Sequence, residues 1–213
     1  MDRQQIINEQ PIAARFEFRT FGQDLQKAAY RMARLSEPVP ESLWERSSDE
    51  IYILSRANDI NNSKIRDGKM DIKTFVQTME GLEQWSPLLK CQFPIEGQVL
   101  KTKVFPAFGS ADKGFFRELY SLEDFLELVG HHSELQVVNV HKQRFAYKVN
   151  NTICETGRIL INGACVYTIS SESTEIEDIL KTIEDLGLKG IENINYLQAI
   201  KRVTGMINKR LAN

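Results

Sequence analysis

At 213 residues and 42% hydrophobic content, the chain can bury a substantial core, and one domain spanning residues 1–213 is expected. Its 27 basic and 29 acidic side chains nearly cancel to a formal charge of -2, which excludes long-range attraction to nucleic acid or an anionic membrane and confines any anion site to a local cluster. Cys91, Cys154 and Cys165 are too scattered for a disulfide framework or a zinc cluster; MDRQQIINEQ has no secretory pattern and no apolar run is of spanning length, so a cytoplasmic protein without a membrane partner is expected.

Strand patterning opens at Ala14 to Phe21 and is followed by a helical stripe over Asp24 to Leu35, where Leu25, Ala28, Ala29 and Met32 share a face. Further strands are predicted at Glu50 to Ser55, Asn61 to Arg66, Lys69 to Val76, Lys90 to Phe93 and Glu96 to Phe105. Leu122 to Val129 reads as a helix entered by Ser121, with Asp124 three residues on, and closed by Gly130. Strands follow at Leu135 to Val149, Thr152 to Ile161 and Ala164 to Glu172. Two apolar-striped helices, Thr174 to Leu186 and Asn195 to Leu211, complete the pattern, and the second is expected to cap the sheet rather than to pair with another copy. Many antiparallel strands with helices between and after them define an α+β class.

Two turns set registers. Asp67-Gly68 and Asn162-Gly163 are the dipeptides that two-residue hairpin loops demand, so Arg66 should face Lys69, Lys64 face Asp71, Glu155 face Ser170 and Ile153 face Glu172. Side chains two apart share a face, which groups Arg15, Glu17 and Arg19 against Phe16 and Phe18. Lys64, Arg66, Lys69, Asp71 and Lys73 likewise oppose Ile65, Met70 and Ile72, and Lys142, Arg144 and Lys148 oppose Phe145, Tyr147 and Val149. An open sheet would simply wet such faces, whereas a barrel with the charged face inward would gather the cations around a low-dielectric lumen. Arg66 across from Lys69 favours the second arrangement, because like charges on a ladder need an anion between them. Glu155 and Glu172 become diagonal neighbours on one face, within reach of one hard divalent cation; Glu17 joins them only if the first strand lies alongside.

Other constellations carry less. His131-His132 follows a helix end and reads as loop, His141 alternates away from Lys142 and Arg144, and Trp85 reads as an anchor for a connection. Phosphate-cradling glycine loops and nucleophile elbows are absent from the sequence.

Taken in order, Arg15-Phe16-Glu17-Phe18-Arg19, Asp49-Glu50-Ile51-Tyr52, Lys64-Ile65-Arg66 turning into Asp71-Ile72-Lys73, Lys142-Gln143-Arg144-Phe145-Ala146-Tyr147 and an acidic last strand at Glu172 before an Ile-rich helix resemble the CYTH, or triphosphate tunnel metalloenzyme, superfamily. The resemblance implies an antiparallel eight-stranded β-barrel with helices packed outside and metal-dependent hydrolysis of a triphosphate. It assigns Arg15, Arg19, Lys64, Arg66, Lys142 and Arg144 to the substrate, Glu17, Glu155 and Glu172 to Mg²⁺ or Mn²⁺, and Lys73 and Glu17 to catalysis. The implied partners are a small-molecule triphosphate or polyphosphate, or an RNA 5′-triphosphate, for a monomer or homodimer. The family's Glu-x-Glu-x-Lys opening is here Arg15, Glu17 and Arg19, and its later Glu-x-Glu is Ser170 and Glu172, changes that weaken a divalent ion's hold. A class IV-like adenylyl cyclase, with Phe18, Tyr52 or Tyr147 against a base, and a non-catalytic polyphosphate- or nucleotide-binding module are the alternatives.

Overall fold

The computed structural model describes residues 14–110 and 114–212; the first ten residues, read above for a secretory pattern, lie outside them. In chain order the elements begin β1 (Phe16–Gly22), α1 (Gln26–Leu35), β2 (Glu45–Ser55), β3 (Asn61–Arg66), β4 (Lys69–Met79), β5 (Leu82–Gln92) and β6 (Ile95–Glu96). A helical passage follows, made of α2 (Gly97–Val99), a π-turn over Leu100–Val104 and α3 (Phe105–Ala107). Then come β7 (Leu119–Tyr120), α4 (Leu122–Gly130), β8 (Leu135–Val149), β9 (Thr152–Ile161), β10 (Ala164–Ser173), α5 (Ile176–Leu186) and α6 (Tyr196–Val203). Eight of the strands close into a barrel in the order β1-β10-β9-β8-β2-β3-β4-β5, every neighbouring pair antiparallel, and β6 and β7 form a separate ribbon.

Four two-residue turns build the long hairpins. Asp67-Gly68 and Asn162-Gly163 act as expected, and Glu80-Gly81 and Asn150-Asn151 do the same between β4 and β5 and between β8 and β9; all eight residues have positive φ. The expected registers hold: Arg66 faces Lys69, Lys64 faces Asp71, Glu155 faces Ser170 and Ile153 faces Glu172. β1 lies beside β10, which sets Glu17 directly opposite Glu172.

Three expectations need correction. Lys90 to Phe93 is the end of a longer strand that begins at Leu82, and its Pro87 pairs beside a register shift, where a missing N–H is tolerated. Glu96 to Phe105 is helical after Glu96, because Leu100, Val104, Phe105 and Phe108 recur at helical spacing and all are buried. The last helix stops at Val203, two residues before Gly205 at φ 73°, rather than at Leu211.

Period-two alternation divides the apolar side chains between the outside and the inside of the barrel. On the outside, Phe16, Phe18 and Ile169 pack under α1 and α5 with Met32 and Ile179, while Ile65, Met70 and Ile72 pack under the helical passage and α4 with Leu100, Phe105 and Phe125. A capping box fixes the start of α4: Ser121 Oγ accepts from Asp124 N–H and the Asp124 carboxylate accepts from Ser121 N–H, both at 3.1 Å. The third cluster, Phe21, Tyr52, Leu54, Val138, Val140, Ile159, Ile161 and Val166, shares the inward phase with Arg19, Lys142, Glu155 and Ser170. Leu197 and Ile200 of α6 complete this cluster and cap it.

The route of α6 into that position is visible at the barrel seam. β1 and β5 pair over only Phe16↔Gln84 and Glu17↔Glu83. Beyond that point Asn193 bridges them, its Oδ1 accepting from Arg19 N–H at 2.9 Å and its amide donating to Glu17 O at 3.1 Å and Gly81 O at 2.9 Å. Truncating Ile200 to alanine should therefore lower stability by about 2–5 kcal/mol and open the floor of the lumen; urea unfolding of the two proteins measures it.

Candidate functional site

Above the apolar floor the lumen is polar and opens to solvent as a cavity of about 440 Å³. Seven cationic side chains line it, Arg15, Arg19, Arg46, Lys64, Lys73, Lys142 and Arg144, against four carboxylates, Glu17, Asp71, Glu155 and Glu172. The cations come from, or immediately precede, five different strands, β1, β2, β3, β4 and β8. Low-dielectric barrel walls strengthen the excess positive potential at such a point.

Behind the lining a single buried acid ties the cations together. Glu50 is 2% exposed, and its Oε2 lies 2.8 Å from Lys142 Nζ and 3.7 Å from Lys64 Nζ, while its Oε1 lies 3.5 Å from Arg66 Nη1. Ser48 Oγ and Tyr52 OH donate to the same carboxylate at 3.2 and 3.3 Å. Burial alone would raise this acid, but Lys142, Lys64 and Arg66 override it and hold Glu50 down at about 2. Lys142 also donates to Tyr52 OH at 2.7 Å and stands 3.6 Å above the Tyr196 ring. Burial, opposed by Glu50 and reinforced by Lys64 and Arg19, pulls the Lys142 ammonium down to about 7.

A second network fills the other side. Arg19 is 5% exposed; its Nε is bonded to Glu17, and its Nη1 lies 3.5 Å from Glu155 Oε1 and donates to Thr168 Oγ1 at 3.4 Å. Glu155 Oε2 is further held by Arg46 at 3.2 Å and Arg144 at 3.7 Å. Glu172 carries no such partner among the contacts of the described residues, and burial together with Glu17 across the ladder raises its carboxyl above the usual range. Three buried polar atoms of the lining, Asn62 Oδ1, Arg144 Nε and Tyr196 OH, have no hydrogen-bond partner.

Of the residues singled out in the sequence, Arg15, Glu17, Arg19, Lys64, Lys73, Lys142, Arg144, Glu155 and Glu172 all line this cavity. Arg66 does not: half-exposed, it lines a neighbouring pocket together with Glu50 and Asp67, which supply the anions that its position opposite Lys69 called for. Glu17, Glu155 and Glu172 share the lumen, but among the described residues no three acids, histidines or cysteines are placed to hold a metal ion, and Arg19 occupies the space between two of them. The residues present therefore do not fit a three-carboxylate Mg²⁺ or Mn²⁺ site.

Tyr52 alone of the three aromatic candidates faces the cavity; Phe18 and Tyr147 belong to the outer core. His141 points away, as expected, onto Asp49 at 2.8 Å. Trp85 corrects its reading: it lies on β5, lines the cavity, and donates to Glu83 at 3.0 Å. Glu50, Arg46 and Tyr196 were not singled out as site residues. Glu50 carried a signal, an acid in strand phase with Ser48 and Tyr52 at the start of the apolar run Ile51 to Leu54.

This closed eight-stranded antiparallel barrel with a charged lumen is the architecture implied by the sequence's resemblance to CYTH, or triphosphate tunnel, domains. Of three similar solved structures, the first bears out the fold. A candidate adenylate cyclase from Bacillus halodurans superposes with a TM-score of 0.50 at 11% identity, covering 88% of this chain and 98% of its own. HpAC1 from Hippeastrum, a candidate adenylyl cyclase with a dominant triphosphatase activity, gives 0.47 at 15% identity over 91% of this chain and 96% of its own. A conserved hypothetical protein from Pyrococcus furiosus gives 0.47 at 15% identity over 86% and 98%. No family model and no curated protein matches the chain. No helix among the described residues is long and apolar enough to cross a membrane.

Proposed function

We propose that the cavity binds a triphosphate group carried by a small molecule. The observation that supports this reading is the convergence of seven cations on one lumen that also holds unpartnered donors at Arg144 Nε and Tyr196 OH. Cations spread around a cavity suit a chain of phosphates better than one phosphate, because each phosphoryl group meets its own donors. Lys64, Lys142 and Arg144 form the inner clamp, and Arg15 and Lys73 add charge along the same lining. A small molecule is favoured over an RNA 5′-end because the net charge of -2 gives no attraction for the remaining RNA phosphates.

Hydrolysis of the bound group, with Lys73 and Glu17 as catalytic candidates, is a second reading. It is favoured by Glu172, a cavity carboxyl held toward its protonated form next to Glu17, where it can exchange a proton with a nucleophile or leaving oxygen. The experiment offers inorganic triphosphate, ATP and a 5′-triphosphorylated oligonucleotide to the purified protein with Mg²⁺, with Mn²⁺ and with EDTA. Tripolyphosphate and ATP should bind, and any phosphate release should drop by about 100-fold or more in Glu172→Gln. Release of pyrophosphate from ATP together with cyclic AMP identifies a cyclase instead; equal release by both proteins removes Glu172 from the chemistry. Failure of all three compounds to bind discards the triphosphate reading.

A further inference from the structure

The charge that would bridge the cavity's carboxylates is already present as a side chain. Arg19 joins Glu17 on its own strand to Glu155 two strands away, and Glu155 is engaged by Arg46 and Arg144 as well. A hard divalent cation needs oxygen ligands with free lone pairs, and Mg²⁺ sheds its water reluctantly. A carboxylate shared among three guanidinium groups is a poor ligand for it, and a fixed guanidinium in the same space repels it. Burial opposes the charge of Arg19, but Glu17, Tyr196 and Glu155 outweigh it and hold the group protonated beyond the ordinary arginine range. This cation is thus permanent, and its ring contact, 4.8 Å to the Tyr196 centroid, fixes it beside the inner clamp.

Resting on the triphosphate reading above, we propose that the cavity takes the free triphosphate anion rather than its divalent-metal complex, with Arg19 as the built-in counter-charge. A metal-bound triphosphate has part of its charge neutralised and its outer oxygens occupied, so it meets the arginine-rich lining with fewer acceptors.

Titration calorimetry of the full chain with sodium tripolyphosphate, in EDTA and in increasing Mg²⁺, tests this. Saturable binding is expected in EDTA, with apparent affinity falling roughly tenfold when Mg²⁺ is in large excess and sequesters the ligand by mass action. Binding that appears only with Mg²⁺ overturns the proposal, and tightening by Mg²⁺ does so too. No binding in either buffer discards the triphosphate reading itself, and this inference falls with it. Arg19→Gln gives a second reading-out: it should lose about 10- to 100-fold in EDTA, the worth of a charged hydrogen-bonding group. The released Glu17 and Glu155 should let Mg²⁺ or Mn²⁺ recover part of that loss, and unchanged affinity in EDTA overturns the role given to Arg19. If this variant melts well below the wild type, the wild-type comparison decides alone.

Discussion

Glu50→Gln is expected to destabilise the fold by about 3–5 kcal/mol at pH 6.5, the usual result of removing one partner from a buried ion cluster. The loss is large because Lys142 is itself 2% exposed and because Lys64 and Arg66 converge on the same carboxylate, so three cations lose their common anion. The pH dependence follows from the direction of the shift. The folded-state value of Glu50, about 2, lies below the ordinary 4.5, so its contribution is fully present above pH 4.5 and is lost as pH falls toward 2. That difference corresponds to roughly 3 kcal/mol, in line with the mutational figure. Urea unfolding at pH 6.5 and 8.5 should show the gap between wild type and Glu50→Gln narrowing at the higher pH, because Lys142 then sheds its proton and relieves the repulsion. Tripolyphosphate should narrow it as well, by supplying anionic charge to the exposed side of the cluster. Equal stability of the two proteins at pH 6.5 would show that Glu50 does not organise the cavity.

Glu50 also illustrates which parts of the site were legible in the sequence. RFEFR and KIRDGKMDIK announce their inner faces because charge alternates with aromatic and aliphatic bulk, and a two-residue turn fixes the pairing of the second segment internally. The role of Glu50 depends on Lys142, which lies 92 positions along the chain on a strand whose adjacency no local pattern encodes. Tyr196 was hidden differently: an apolar stripe on a helix reads as core, which is true of Leu197 and Ile200, while the residue beside them reaches into the lumen. The first two-thirds of β5 escaped because LEQWSPLLKCQ lacks clean alternation and contains a proline, yet Glu80-Gly81 before it was a readable turn. The helical passage after Glu96 satisfies both periods over VLKTKVF, and only packing under α4 decides for the helix.

Lys142 makes the strongest pH prediction for binding. Its ammonium faces Glu50 and Tyr52 from β2, Lys64 from β3, Arg19 from β1 and Tyr196 from α6. Near pH 7 the empty site is therefore poised to lose one cation, whereas a bound polyanion favours the charged form and raises that threshold. Linkage between proton and ligand then requires tripolyphosphate affinity to fall as pH rises, by up to about 20-fold between pH 6.5 and 8.5 if the bound form stays protonated throughout. The last ionisation of a phosphate group, near pH 6, acts in the opposite sense and strengthens binding with pH, so it cannot produce such a fall. Lys142→Gln should bind more weakly at pH 6.5 and lose the decline, converging with the wild type by pH 8.5. A wild-type affinity that holds steady or rises across this range would place Lys142 outside the phosphate clamp and leave Glu50 as its only counterpart.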